Sequence, residues 1–248
     1  MPEKIAFITG GNRGIGFHTA LALKGAAKVV IGSRDGAQGE KALKKLREAG
    51  ADADMLEFDV TQPASHKAAY DYFNSRYGRL DILVNNAGIA AESGAFHVTA
   101  PENTASEVPM ALLRKIFDTN FFAPIAVTQA LLPLLKKSPA GRIVNLSSNL
   151  ASLTMHADPK SPIYDFKSFA YDASKTAVNA FTVHLAYELR NTKIKVNSAH
   201  PGWVKSDMGG PEAPLELTEG AKTSAALATL PDDGPTAGYF HMGKPLPW

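Results

Sequence analysis

Ile5-Ala6-Phe7-Ile8-Thr9-Gly10-Gly11-Asn12-Arg13-Gly14-Ile15-Gly16 is the stretch on which the fold turns. Its first half is a short unbroken apolar run, the pattern of a strand buried on both faces. Glycines follow at once, and a helical pattern from Gly14 to Lys24 opens directly behind them. A glycine loop between strand and helix gathers backbone N–H groups and the positive end of the helix dipole at one point, where an anion is favoured. Gly10 permits the tight turn, Gly14 lets the backbone approach a pyrophosphate, and Gly16 lets the helix pack closely on the strand. A plain glycine turn is the other reading of these residues.

Outward from this loop the pattern repeats. Ile5 to Thr9, Val29 to Gly32, Met55 to Phe58, Ile82 to Val84, Ile143 to Leu146 and Ile194 to Asn197 read as strands. Between them, helical periodicity covers Gly14 to Lys24, Gln38 to Ala49, Pro63 to Tyr77, Pro109 to Lys137 and Tyr171 to Arg190. Such alternation predicts an α/β fold, a doubly wound parallel sheet with helices on both faces. Two stretches read as inserted loops, Ala90 to Val108 and Asn149 to Phe169, the second carrying Pro159 and Pro162. The tail from Pro201 is rich in Gly and Pro, with a helix expected around Leu215 to Leu230.

Composition narrows the classes. With 248 residues, 45% of them hydrophobic and 20% charged, the chain can bury the core of one domain spanning residues 1–248. A formal charge of +2 with scattered Lys and Arg indicates neither a nucleic-acid partner nor a membrane-surface helix. The absence of cysteine excludes disulfides, thiolate nucleophiles and cysteine-ligated metals, and the dispersed histidines lack metal-ligand spacing. The N-terminal apolar run is too short for a signal peptide core, and the longest apolar candidate for a membrane span is broken by Pro124 and Pro133. A soluble, cytoplasmic protein is expected.

The end of the second strand bears on which dinucleotide would bind. An NAD site places an acid there for the ribose 2′-hydroxyl, whereas this strand ends Ile31-Gly32-Ser33-Arg34. Arg34, with Arg13 from the glycine loop, could pair with a 2′-phosphate through charge-assisted, fork-shaped hydrogen bonds. NADP(H) is therefore the expected cofactor. Asp35 lies about where an NAD-type acid would stand and is read instead as the cap of the following helix.

Tyr171 and Lys175 stand four apart at the start of a helical pattern, so a phenol and an ammonium share one face with Val178, Leu185 and Leu189. An inward lysine beside a tyrosine favours the phenolate, and the expectation is a phenol pKa below its usual value of about 10. That makes the pair a candidate for proton transfer.

With the glycine loop, Asn85-Asn86-Ala87-Gly88, Asn120, Ser148 and Tyr171-x-x-x-Lys175 in this order, the chain resembles the short-chain dehydrogenase/reductase superfamily from Lys4 to about Met208. Asn12-Arg13-Gly14-Ile15-Gly16-Phe17 and Asn120-Phe121-Phe122 are most similar to its carbonyl-reductase-like members. The resemblance implies a Rossmann-type fold and hydride transfer between NADP(H) and a carbonyl or alcohol carbon of a small molecule, a ketone, aldehyde or quinone. A 3-oxoacyl-carrier-protein or sugar-alcohol reductase is the alternative, and a non-catalytic nucleotide sensor a third reading. By the same resemblance Tyr171 is the acid/base, Lys175 holds the nicotinamide ribose, Ser148 bonds the reacting oxygen with Ser147 as the fallback, and Asn120 keeps a water in the proton relay. Asp59 and Val60 would contact adenine, Asn86 and Gly88 would line the ribose side, and Pro201, Gly202, Val204 and Ser206 would bind the nicotinamide carboxamide. Asp59 as a capping acid before Pro63 stays open, as does a structural role for Asn120. Residues from about 203 to 230 would shape the substrate end. The stretch between Ser148 and Tyr171 is longer than most members carry, and it is expected to bulge near the active site, shaping substrate access or blocking a subunit contact. Monomer and homo-oligomer both remain open.

Overall fold

The computed structural model describes residues 4–90 and 104–248. The part of the expected Ala90 to Val108 loop that runs from 91 to 103 lies outside the described residues. The first strands and helices follow the expected alternation: β1 (Ile5–Thr9), α1 (Gly14–Ala22), β2 (Lys28–Ser33), α2 (Gly36–Glu48), β3 (Ala53–Glu57), α3 (Pro63–Tyr77) and β4 (Ile82–Asn85). Then come α4 (Met110–Phe117), α5 (Ala123–Leu135), β5 (Arg142–Leu146), α6 (Leu153–Ala157), α7 (Phe169–Glu188), β6 (Lys195–Ala199), α8 (Leu217–Ala228), β7 (Gly238–His241) and β8 (Lys244–Pro245).

The sheet order is β3-β2-β1-β4-β5-β6-β7-β8, parallel through β7, with β8 antiparallel at the edge. β1 and β4 are neighbours although they are far apart in sequence, and the winding reverses between them. In an open parallel sheet the crevice at the carboxyl ends of such strands is where ligands settle. All five residues of β1 are buried, so its apolar run covers both faces. Phe7 joins one core with Phe58, Phe73 and Leu131, while Ile8 joins the other with Leu23, Ile31 and Leu46. Alternation along one strand thus feeds two helical layers.

A polar ladder runs through the interior. Asn85 Nδ2 donates to Asn145 Oδ1 at 2.8 Å, Asn145 Nδ2 to Thr182 Oγ1 at 2.9 Å, and Ser198 Oγ also donates to Thr182 Oγ1 at 2.9 Å. These bonds register α7 against β4, β5 and β6 and satisfy groups that would be costly to bury alone.

Three departures from the sequence expectation matter. The single helix expected from Pro109 to Lys137 is interrupted by a π-helical turn at Asp118–Phe122, between α4 and α5. The segment from Asn149 to Phe169 is not only loop: it opens with a 3-10 turn at Asn149–Ala151 and contains α6. The tail adds β7 and β8 to the sheet, and neither carries a run long enough to be read as a strand. Among the described residues, no helix is long and apolar enough to cross a membrane.

Candidate active site

The turns after β1, β4, β5 and β6 meet at the carboxyl end of the parallel sheet. After β1, Gly10 has φ +63° and Gly16 packs where a Cβ would come within 2.5 Å of Asn86 Nδ2 and of the Gly10 carbonyl. Asn86 bolts the two loops together: its Nδ2 donates to Thr9 O at 2.8 Å and to Gly10 O at 3.1 Å, and its backbone N–H donates to Thr9 Oγ1 at 3.0 Å. Above Gly14 the space is open, with nothing within 4 Å of where a Cβ would stand. Asn12 and Ile15 are half-buried and Arg13 is exposed. On the side facing α2, Asn12, Arg13, Gln38 and Lys41 line a cleft of about 530 Å³ that includes none of Ser148, Tyr171 or Lys175.

At the end of β2, Ser33 is buried and its hydroxyl donates to Asp35 O at 2.7 Å, while Arg34 is exposed. Asp35 is the N-cap of α2, accepting the Gln38 N–H at 3.0 Å. Its carboxylate is thus bonded to the helix it opens. At the end of β3, Asp59 accepts from the Thr61 backbone N–H at 2.9 Å and from its hydroxyl at 2.8 Å; the cap position of α3 itself is Gln62. Val60 packs on the core, and its carbonyl bonds His66 Nε2 at 2.8 Å.

Ser148 follows β5 in extended backbone, φ −150°, and its Oγ accepts the Leu150 N–H at 3.2 Å as the cap of the 3-10 turn. The same hydroxyl is hydrogen-bonded to Tyr171. Ser147 points the other way, donating to Asn179 Oδ1 at 2.8 Å. Tyr171 and Lys175, one turn apart on α7, are 6% and 4% exposed. Lys175 Nζ stands 5.7 Å from the Tyr171 ring centre and donates to Leu146 O at 2.8 Å.

The electrostatics differ from the sequence expectation. Burial pushes the Tyr171 phenol above its usual value; the Ser148 hydrogen bond pulls it down less than burial raises it, and the neighbouring Asp172 charge adds to the rise. Burial lowers Lys175 to about 8. The expected depression of the phenol by the lysine is therefore reversed, because both groups are buried and each pays for desolvation first.

Asn120 sits in the π-helical turn, 1% exposed. Its Nδ2 donates to Ile89 O at 2.7 Å and to Ser174 Oγ at 3.0 Å, and its Oδ1 accepts the Ile89 N–H at 2.8 Å. Both amide donors are committed, so the side chain clamps the chain after β4 onto α7. A single extra residue in the helix is what turns it inward, a common use of such bulges near sites. A Cβ on Gly88 would lie 3.3 Å from Asn120 Oδ1 and 3.4 Å from Lys175 Nζ, so Gly88 closes the same corner.

After β6, Pro201 is buried, Gly202 has φ +91°, and Val204 pairs with Leu215 in an isolated bridge. Ser206 Oγ accepts the Gly209 N–H at 3.0 Å, so it shapes its own turn. Beside it Asp207 reaches across to the glycine loop, Oδ2 to Arg13 Nη1 at 2.5 Å.

Several groups that the sequence reading left out belong to this site. Tyr239 of β7 donates to the Ser148 carbonyl. His200 Nδ1 accepts the Asn149 N–H at 3.1 Å. Asp172 caps the start of α7, its Oδ2 accepting the Ser168 N–H at 2.8 Å. Only Asp172 had a local signal, an acid in the first turn of a helix; the others depend on strands far away in sequence.

Glycine loop, switch-point crevice and a buried Ser-Tyr-Lys corner define a Rossmann-type nucleotide-dependent oxidoreductase. The chain belongs to the short chain dehydrogenase family, whose model matches residues 4–216. It is 33% identical to carbonyl reductase 1 (NADPH) of Mus musculus over 98% of each chain. It is also 33% identical to carbonyl reductase 3 (NADPH) of Rattus norvegicus, over 93% of this chain and 92% of that one. Among solved structures, the NADPH-bound carbonyl reductase from chicken fatty liver superposes with a TM-score of 0.82 at 28% identity over 100% of both chains. Salutaridine reductase from Papaver somniferum does so at 0.79 and 29% identity, covering 96% of this chain and 99% of that one.

Proposed function

We propose that Tyr171 is the proton donor, Ser148 the second hydrogen-bond partner of the reacting oxygen, and Lys175 the ribose-holding cation of an NADP(H)-dependent carbonyl reductase. The observation that carries this is the Ser148 to Tyr171 hydrogen bond in a buried corner, with Lys175 one turn along the same helix.

The residues fit the dinucleotide. The open space over Gly14 leaves backbone accessible to a pyrophosphate. Lys175 is a buried ammonium with one hydrogen-bond acceptor, Leu146 O, among the described residues, so further donors remain for sugar hydroxyls. Arg34 is exposed at the strand end, and Asp35 is engaged by Gln38, which supports NADP(H) over NAD(H). Asn86, Gly88, Pro201, Gly202, Val204 and Ser206 would surround the ribose and nicotinamide, with Asp59 and Val60 toward the adenine. When bound, the cofactor supplies the hydride to the carbonyl carbon.

Burial keeps the Tyr171 proton in place at neutral pH, which suits donation. As the carbonyl oxygen gains negative charge it becomes far more basic than a phenolate, so the proton moves from Tyr171 Oη to it. Ser148 Oγ stabilises the same developing charge. Asn120 holds Ile89 and Ser174 in place around the corner. The substrates are small carbonyl compounds, ketones, aldehydes or quinones.

The test is loss of NADPH absorbance with a panel of ketones and quinones. The expected result is turnover by the native chain and a fall on the order of a hundredfold or more in Tyr171→Phe, with NADPH binding retained. Tyr171→Phe with native turnover would overturn the assignment.

A further inference from the structure

The segment between Ser148 and Tyr171 does not end in a loose loop. It is fastened to the residue next to Tyr171. His156 of α6 places Nε2 3.4 Å from Asp172 Oδ2 and 3.0 Å from Leu150 O. Lys167 Nζ donates to His156 Nδ1 at 3.0 Å and to His156 O at 2.9 Å. These contacts select one imidazole form: Nδ1 accepts from the ammonium, and the Nε2 proton is shared between the Leu150 carbonyl and the carboxylate. The carboxylate in turn takes the Ser168 N–H at 2.8 Å, while the Asp172 N–H returns to Ser168 O at 2.8 Å. Thr176 Oγ1 adds a bond to Ala151 O at 2.9 Å. Asp172 is 8% exposed, and its Oδ1 has no hydrogen-bond partner among the described residues. A carboxylate buried this far with one oxygen unpaired is costly for a cap that could have been placed in water.

We propose that Asp172 is a positioning residue for Tyr171, through which His156 and the segment around α6 hold the first turn of α7 and keep a negative charge beside the phenol. This rests on the reading of Tyr171 as proton donor. Tyr171 itself is tied to Ser148, so the inserted segment grips the pair from both ends: its first residues follow Ser148 and its α6 holds Asp172. The charged and titratable groups facing the carboxylate are His156 from α6, Lys167 from the approach to α7, and Tyr171 from its own helix. Burial raises the carboxyl to about 7, opposed by the Ser168 N–H and Lys167, and its charge pushes the phenol further up. Above that range the anion helps keep the Tyr171 proton on, which extends reduction to higher pH.

The experiment is the pH profile of kcat for ketone reduction, with NADPH affinity by fluorescence, in the native chain, Asp172→Asn, His156→Ala and His156→Gln. Asp172→Asn keeps an acceptor for Ser168 and removes the charge, so the alkaline fall in kcat should move down by on the order of one pH unit with NADPH affinity unchanged. His156→Ala should lower kcat about tenfold, and His156→Gln, whose amide can donate to the same oxygens, should restore most of it. An alkaline limb unmoved in Asp172→Asn overturns the proposal. Should that variant fail to fold, equal kcat in His156→Ala and His156→Gln overturns it instead. Tyr171→Phe separates the two readings: if it is inactive while Asp172→Asn is unshifted, only this inference fails.

Discussion

The Tyr239 hydroxyl donates to the main-chain carbonyl of Ser148, so the seventh strand holds the backbone of the serine that bonds Tyr171. Trp248 stacks on the Tyr239 ring, centroids 5.5 Å apart at 23°, and its carbonyl accepts from the Thr154 N–H at 2.9 Å and Ser152 Oγ at 3.1 Å. Tail, inserted segment and serine therefore form one connected unit. Tyr239→Phe leaves a buried carbonyl without this donor, a cost of about 1–3 kcal/mol. The expected outcome is a fall in kcat of about tenfold with NADPH affinity unchanged; steady-state kinetics with a saturating ketone checks it.

Ser33 and Arg34, at the end of β2, are proposed to set the cofactor preference. Replacing both, Ser33→Asp with Arg34→Ala, supplies a 2′-hydroxyl acceptor and removes a phosphate partner. The ratio of kcat/KM for NADPH over NADH should fall by on the order of tenfold or more. An unchanged ratio would show that the phosphate is read elsewhere.

Arg13 and Asp207 form an ion pair whose side chains are 74% and 77% exposed. Pairs so open to water contribute little, so a dianionic phosphate should displace Asp207 from the guanidinium. Asp207→Asn frees Arg13 and removes a like charge from the phosphate's surroundings. NADPH should bind a few-fold tighter, NADH less so, and the gain should shrink as salt rises. Titration of cofactor fluorescence at two ionic strengths measures this.

What could be read ahead of the fold is what short spacing dictates. The glycine loop declares itself because strand, turn and helix are contiguous, and Tyr171 with Lys175 because one helical turn sets both side chains on one face. Ser33 to Asp35 could be read as strand end and cap for the same reason. The π-helical turn at Asn120 was invisible, since one inserted residue leaves the helical periodicity of Pro109 to Lys137 nearly intact. The direction of the Tyr171 shift is not legible in the sequence, because spacing places Lys175 near it but says nothing of how deeply both are buried. His200, Tyr239 and Trp248 act through contacts across the sheet, for which the local sequence holds no code.

Arg142 gives a stability test far from the chemistry. It is 1% exposed, and its guanidinium donates to Leu230 O at 2.9 and 2.7 Å, Gly141 O at 2.9 Å and Lys193 O at 3.2 Å, with Asp232 Oδ1 also 3.2 Å away. Three carbonyls lose a buried partner in Arg142→Ala, so urea unfolding should show a loss of about 3 kcal/mol or more. Asp232→Ala, at the exposed end of the same contact, should cost far less.

His200 makes the fold sensitive to acid. Its Nδ1 accepts the Asn149 N–H, which requires the neutral ring, and burial, with the nearby His241 adding to it, lowers its pKa to about 3. In the unfolded chain the same imidazole titrates near 6.5. Between about pH 6.5 and about pH 3 the unfolded chain binds a proton that the native chain refuses, so the contribution of His200 is fully present above pH 6.5 and is lost as the pH falls. Asp172, whose carboxyl is raised to about 7, works in the opposite sense over part of this window, because the native chain there holds the extra proton. The two are separated by His200→Asn, whose side-chain oxygen can still accept the Asn149 N–H but does not titrate. Tm should fall more in the native chain than in His200→Asn between pH 7 and about pH 5. Equal losses in the two would show that His200 is not buried in the neutral form.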